Sequence, residues 1–328
     1  MKQWLKRIAI AVVGLIGFVV ILVRVLWIPS PQGPAYVFSG AWGETGTGPG
    51  QFRDPTGIAI SADEVFVSDA RNARIQVFDY QGHFLRQIEG EANTQAELGR
   101  PMNLTIHRGE LYVADYWNDR VQVYSLDGVY HRSIGGSGTE PGEFDSPGGV
   151  AINARGDLFV ADFYNQRIQH LSADGQFIQQ WGTTREAGFK AGEFNYPTDV
   201  AIGDDGQLLV ADGYNDRIQM FDASGNFLRK WGGPLAINIY GPFHGWFATV
   251  TSIAIGPKGN VFVADFYNDR VQKFSHDGQF LTTFGERGTG DGQFSYVTAV
   301  AVAPDGTVFV TDLGNNRVLY FSLPEATP

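Results

Sequence analysis

Asp54, Asp145 and Asp199, with Asn103, carry the side chains best placed in this sequence to hold a cation or to move a proton. Each stands at or beside the start of a short apolar run. If they converged, their oxygens would suit a hard divalent ion, which could polarise water or a carbonyl for metal-assisted hydrolysis or elimination. Arg100 and Asn195 flank the same runs, as do Thr56, Tyr196, Thr249, Ser252, Tyr296 and Thr298, but no glutamate joins them. The histidines (His83, His107, His131, His170, His244 and His276) share no register that would bring two together. Of these, only His244 is placed to approach a central channel. The chain has no cysteine, which removes thiolate nucleophiles and thiolate metal sites. It also has no G-x-S-x-G, H-E-x-x-H or phosphate-binding Gly-rich loop. No cofactor is expected, and a divalent metal on the aspartates is the exception that the enzymatic alternative requires.

A second group is aromatic. Trp117, Tyr164, Tyr214 and Tyr267 each stand two residues after an aspartate that recurs along the chain, and their faces could stack on sugar rings or peptide side chains. Tyr240, Phe243, His244 and Trp246 belong to GGPLAINIYGPFHGWFATV, a stretch unusually apolar for a loop. It reads as a lid, a partner patch or a surface that dips into a membrane. The plainer account is a plug over a channel.

The elements that must position these residues follow from an internal repeat. V-x-D-x-x-N-x-R occurs six times, with Asp69, Asp115, Asp162, Asp212, Asp265 and Asp312 separated by 46, 47, 50, 53 and 47 residues. The paired arginines are Arg74, Arg120, Arg167, Arg217, Arg270 and Arg317. Six identical pairs point to a structural role, with Asp accepting backbone N–H bonds and Arg bracing adjacent units. Within 197–231, four runs separated by Asp-Gly-like turns predict antiparallel strands at 197–202, 208–211, 217–221 and 227–231. A four-stranded unit repeating every ~47 residues is a propeller blade. The last copy lacks its fourth strand, and YVFSGAW at 36–42 resembles the missing piece. The expected fold is all-β: a six-bladed β-propeller of four-stranded blades over 35–322, closed by the N-terminal strand, plus one N-terminal transmembrane helix. Alternation of direction puts the D-x-x-N-x-R loops and the long interblade connections on one face. Since function concentrates on long loops over a rigid scaffold, that face is where a ligand is expected.

The repeat resembles the NHL family, whose blades pair G-x-G-x-x-G-x-F-x-x-P-x-x-[IV]-A with V-A-D-x-x-N-x-R-[IV]-Q. Here these are 135–151 with 160–169, and 285–301 with 263–272. The resemblance covers nearly everything after residue 34. It implies the propeller but leaves function open, because NHL propellers include RNA binders, receptor ectodomains, ligase subunits and a peptide-amidating lyase. That lyase holds zinc with central histidines, and no histidine here matches those positions. The likeness to metal-dependent propeller lactonases is architectural only.

Composition and charge complete the reading. Gly supplies 42 of 328 residues, with 43% apolar and 18% charged, as expected for many short strands and tight turns rather than disorder. Residues 1–30 hold Lys2, Lys6, Arg7 and Arg24 and no acid, which leaves 20 basic against 35 acidic residues, a net −15, on the rest. A domain so acidic is a poor partner for nucleic-acid phosphates. Residues 8–28 would span ~31 Å as a helix, the thickness of a bilayer core. The basic residues before them hold the N-terminus in the cytoplasm. The alternative is a cleaved signal peptide, against which stand the length of the run and the lack of an A-x-A site.

The expected organisation is a cytoplasmic start (1–7), a signal-anchor helix (8–28), a linker (29–34), the propeller (35–322) and a tail (323–328). The expected function is that of a single-pass, membrane-anchored, extracytoplasmic binding or scaffold module for a protein, peptide or glycan, acting through its long-loop face. The alternative is a metal-assisted hydrolase or lyase at the channel mouth.

Overall fold

The computed structural model describes residues 27–324 together with Gln3, Trp4, Lys6, residues 12–15, Gly17 and Arg24. In the fourth blade, Pro197–Ile202, Leu208–Asp212, Arg217–Phe221 and Phe227–Trp231 pair antiparallel in chain order. The two middle strands are buried on both faces because neighbouring blades cover them; 208–211 therefore reads as a continuous apolar run, whereas the buried Arg217 and Gln219 of the other alternate with apolar residues and bond Asp212. The outer strand is half exposed. Its turn needs Gly225, which has φ +88° and lies under the Trp181 indole of the preceding blade, so that a Cβ would come within 2.7 Å of the ring. Trp42 over Gly82 and Trp231 over Gly278 repeat this contact.

Six such sheets occupy 55–89, 101–134, 147–181, 197–231, 250–284 and 297–322, and Val37–Trp42 is the outer strand of the last. It pairs antiparallel with Arg317–Ser322, so that the two ends of the domain share one sheet and the edge of that strand is covered. Apolar packing lies between blades. Phe194, fully buried, joins Phe159 and Ile168 of blade three to Leu208 and Phe221 of blade four, and Phe52, Phe144, Phe247 and Phe294 are equally buried.

Each recurring aspartate is a buried hub. One oxygen of Asp212 accepts the Asn195 N–H at 2.7 Å, and the other meets Arg217 Nε at 2.7 Å, with Asn215 and Gln219 adding to it. Arg217 in turn donates to the Lys190 and Glu193 carbonyls, which pins the connection entering its blade. Asp69–Arg74, Asp162–Arg167, Asp265–Arg270 and Asp312–Arg317 repeat the pair at 2.8–2.9 Å. Blade two departs from the pattern. Arg120 makes no ion pair with Asp115 among the described residues; it gives Nη2 to the Glu97 carbonyl, and its buried Nε has no partner.

Most of the expected membrane-spanning stretch, 8–28, lies outside the described residues, as do 325–328 of the expected tail. Among the described residues no helix is long and apolar enough to cross a membrane. The stretch read as a linker is docked: the Gln32 and Gly33 N–H groups both bond the Leu281 carbonyl of blade five, at 2.8 and 2.9 Å.

Burial pushes the Asp212 carboxyl upward even beside Arg217, so removing the guanidinium leaves an uncompensated buried acid. Arg217→Ala is expected to lower unfolding free energy by about 3–5 kcal/mol. Arg120→Ala, which breaks no such pair, is expected to cost about 1 kcal/mol. Chemical denaturation of the two variants compares them directly.

Candidate functional site

The recurring Phe of each connection is followed two residues later by the side chain that opens the first strand. In order around the ring these are Asp54, Ser146, Tyr196, Thr249 and Tyr296, with Arg100 after Leu98. All but Arg100 have φ between +49° and +65°, a conformation uncommon outside glycine. It is held by the preceding blade, where Asn316, Asp119, Gln166, Asp216 and Asp269 accept the respective N–H groups at 2.6–3.0 Å. The seam between blades one and two lacks this brace because Ala73 stands at the accepting position, and Arg100 N–H turns to Asp115 of its own blade.

These turns carry Tyr196 and Tyr296 to the channel mouth. Tyr196 sits 4.9 Å from the Phe163 ring and 5.0 Å from Tyr214, and Tyr296 stacks on Phe266 at 5.0 Å. Tyr116, Phe163, Tyr214, Phe266, Tyr267 and Leu313 wall a mouth cavity of about 370 Å³. Its lower wall carries Thr56, Thr198, Thr251 and Thr298, each hydroxyl donating to a first-strand carbonyl of the next blade at 2.8–3.1 Å. The result is an aromatic bowl with polar edges, a shape suited to stacking on flat or apolar ligand surfaces.

Of the rim aromatics singled out by sequence, Tyr214 and Tyr267 line this bowl. Tyr164 packs edge-on against Phe163 at its margin, and Trp117 stands exposed beneath the Arg100 guanidinium, 5.6 Å away. Tyr240 and Phe243 join Asn195, Tyr214 and Tyr267 around an adjoining hollow of about 770 Å³. Two candidates are corrected. His244 turns away from the channel and stacks on Phe280 of blade five's outer strand, 4.8 Å apart. Trp246 is buried and donates Nε1–H to the Trp27 carbonyl at 2.6 Å. The loop bearing them is not a plug, since residues 232–248 stay clear of the central mouth and Thr249, at the end of the stretch, joins its wall alongside the first-strand threonines.

The three aspartates do not converge, and among the described residues no three His, Asp or Glu side chains form a possible metal cluster. The reason is register. Asp54 stands two residues after its Phe, Asp145 one and Asp199 five. Asp54 bonds Arg71 at 2.8 Å and lies 3.6 Å from Arg100, while Asp145 meets Arg185 at 3.3 Å. Asn195 caps the Tyr214 carbonyl.

Asp199 shares its level with Asn103 and Ser252, and these three line a smaller cavity of about 260 Å³ deeper in the channel. Its oxygens accept the Val200 N–H at 2.9 Å and the Ile253 N–H at 3.0 Å, which staples blade four to blade five. Sequence reasoning missed Tyr116, Phe163, Phe266 and Leu313. Each directly follows a recurring aspartate, but that spacing alone does not say which way a side chain on the turn points.

Burial pushes the Asp199 carboxyl up to about 7 despite these bonds, against about 3.9 in an unfolded chain. Between those values the folded state holds the extra proton, so this group's contribution to stability falls as pH rises from about 4 to 7. Asp199→Asn should therefore gain stability relative to wild type, by up to about 4 kcal/mol, between about pH 4 and pH 8. Urea denaturation at both pH values measures it, and a constant difference would mean that the carboxyl ionises normally.

The NHL repeat family model matches residues 52–78, 194–221 and 247–274, and a six-bladed beta-propeller family model matches 89–184. A protein of unknown function from Bacteroides thetaiotaomicron superposes with a TM-score of 0.68 at 14% identity, covering 88% of this chain and 76% of its own. Virginiamycin B lyase from Staphylococcus aureus does so at 0.55 and 16%, covering 84% and 85%. At these identities the likeness is one of fold. The Drosophila melanogaster protein brain tumor is 44% identical over 48 residues, which is 14% of this chain but 5% of that protein. Repeat, blade geometry and ring closure agree: the chain carries NHL repeats and folds as a six-bladed β-propeller.

Proposed function

We propose that this protein is a membrane-tethered, extracytoplasmic binding module that captures a protein, peptide or glycan on its long-loop face. The observation that carries the reading is the aromatic bowl. Five rings, Tyr116, Phe163, Tyr214, Phe266 and Tyr267, gather at one end of the channel, backed by Tyr196 and Tyr296 on turns that the preceding blades hold. Preorganised aromatic surface binds with little ordering cost. The tether rests on the uncharged run 8–23 and its extension to Ile28, preceded by Lys2, Lys6 and Arg7. The net −15 that follows residue 30 disfavours a nucleic-acid ligand. The metal-assisted alternative is the weaker reading, because its aspartates lie at three different levels and two of them are matched by arginines.

The test is crosslinking of the full chain in intact membranes. Replacing both Tyr214 and Tyr267 by Ala should reduce recovery of the crosslinked ligand about tenfold. Leu85→Ala, on the exposed outer strand of blade one, should leave it unchanged. Equal recovery from all three proteins would overturn the assignment of the bowl.

A further inference from the structure

The insertion between blades four and five is the longest stretch of exposed apolar side chains on the propeller among the described residues. Leu235 and Tyr240 are 66% and 72% exposed, and Ile237, Ile239 and Phe243 are exposed as well. From Gly232 to Ala248 there is no Asp, Glu, Lys or Arg, in a chain otherwise rich in acid.

The segment is fastened from beneath. Arg217 donates to the Ala236 carbonyl at 3.1 Å, and Arg270 donates to those of Pro242, Phe243 and Trp246 at 2.7–2.9 Å. Asn268 holds Gly241, and Asn238 N–H bonds the Asn215 carbonyl. Leu235, Ala236 and Asn238 have φ of +58°, +48° and +63°, which a loose loop would relax. Two of the buried arginines that brace the blades thus hold a fixed platform whose apolar side chains face outward.

The chain's N-terminal segment meets the propeller at this same place. The Trp27 carbonyl accepts the Trp246 Nε1–H, and Gly245 lies against Pro29, so that a Cβ there would be 3.2 Å from the proline ring. Residue 27 is next to the end of the apolar run 8–28. A bilayer crossed by that run would begin beside Leu235, which lines one hollow with Trp27 and Pro29.

We infer that the 233–247 insertion is a second membrane contact, with Leu235, Ile237, Ile239, Tyr240 and Phe243 entering the interfacial layer of the bilayer that the tether spans. The inference rests on the tether proposed above. A segment without charge enters by apolar partition and gains nothing from anionic headgroups, and the acidic propeller is repelled by them. Neutral phosphatidylcholine is therefore sufficient as the surface. The contact fixes the propeller by its blade four–five wall and opens the hollow lined by Tyr240, Phe243, Tyr214 and Tyr267 beside the lipid.

The absence of native cysteine allows single-site labelling. Full-length Leu235→Cys, Tyr240→Cys, Leu85→Cys and Val20→Cys, each carrying a polarity-sensitive fluorophore, are reconstituted in phosphatidylcholine vesicles. Emission from positions 235 and 240 should shift to the blue and be roughly halved by lipids bearing a nitroxide near the headgroup, while position 85 stays unquenched. Quenching at 20 without quenching at 235 and 240 overturns the second contact alone. A blue shift there without nitroxide quenching also overturns it, by showing cover from a second copy or from the N-terminal segment. No quenching at 20 overturns the tether and this inference with it.

Discussion

The buried carboxylate of each D-x-x-N-x-R segment is the interaction on which the rest of the propeller depends. Interblade connections such as 43–50 are Gly-rich and carry little apolar surface to bury, so hydrophobic packing cannot fix their paths. The aspartate substitutes directed bonds. One oxygen holds the incoming backbone while the other gathers Arg, Asn and Gln, and the arginine returns to the same connection through its carbonyls. A buried ion pair is weak as a source of net stability, but its geometry is narrow. Repeated around the ring, it sets where each first strand begins and therefore where every rim side chain stands.

The channel mouth inherits that precision. Its left-handed turns exist because the preceding blade supplies a side-chain acceptor for each N–H, and its threonines are engaged with the next strand. What remains free to meet a ligand is therefore mostly ring surface. Below it, Asp199 combines an interblade staple with a carboxyl balanced near neutrality by burial.

Sequence made the fold legible because period, turn chemistry and strand length all agreed. The four strands expected at 197–231 match those observed, with Asp212 added to the second, and Val37–Trp42 takes the outer place in blade six. The expected membrane-spanning helix falls mainly on residues outside those described. The site was only partly legible. Tyr214 and Tyr267 were found, whereas Phe163 and Phe266 were passed over, because a tight turn ending in a left-handed residue aims its side chains in directions that spacing does not reveal. Asp54, Asp145 and Asp199 seemed to belong together until counted from their Phe residues. Trp246 stands where other connections carry Gln51, Glu143, Glu193 and Gln293, so the repeat gives its backbone register but not the contacts that turn it to Trp27 and His244 to Phe280. Arg120 shows the converse failure, a motif present without its ion pair.

Closure by the N-terminal strand governs when the molecule can be completed. Ser39 and Ser322 share a hydrogen bond across 283 positions of sequence, so the ring's last seam joins the propeller's first strand to its last. Loop-closure entropy grows only slowly with such a span, but the wait for it is set by translation. Blades one to five can form in turn on the ribosome, while Val37–Trp42 has no partner until residues 317–322 have emerged. During that interval the strand's hydrogen-bonding edge is open to other chains. A chain truncated before residue 317 would keep it open permanently. Completion of the ring is thus a check that the whole propeller has been made, built into the fold by the placement of six residues.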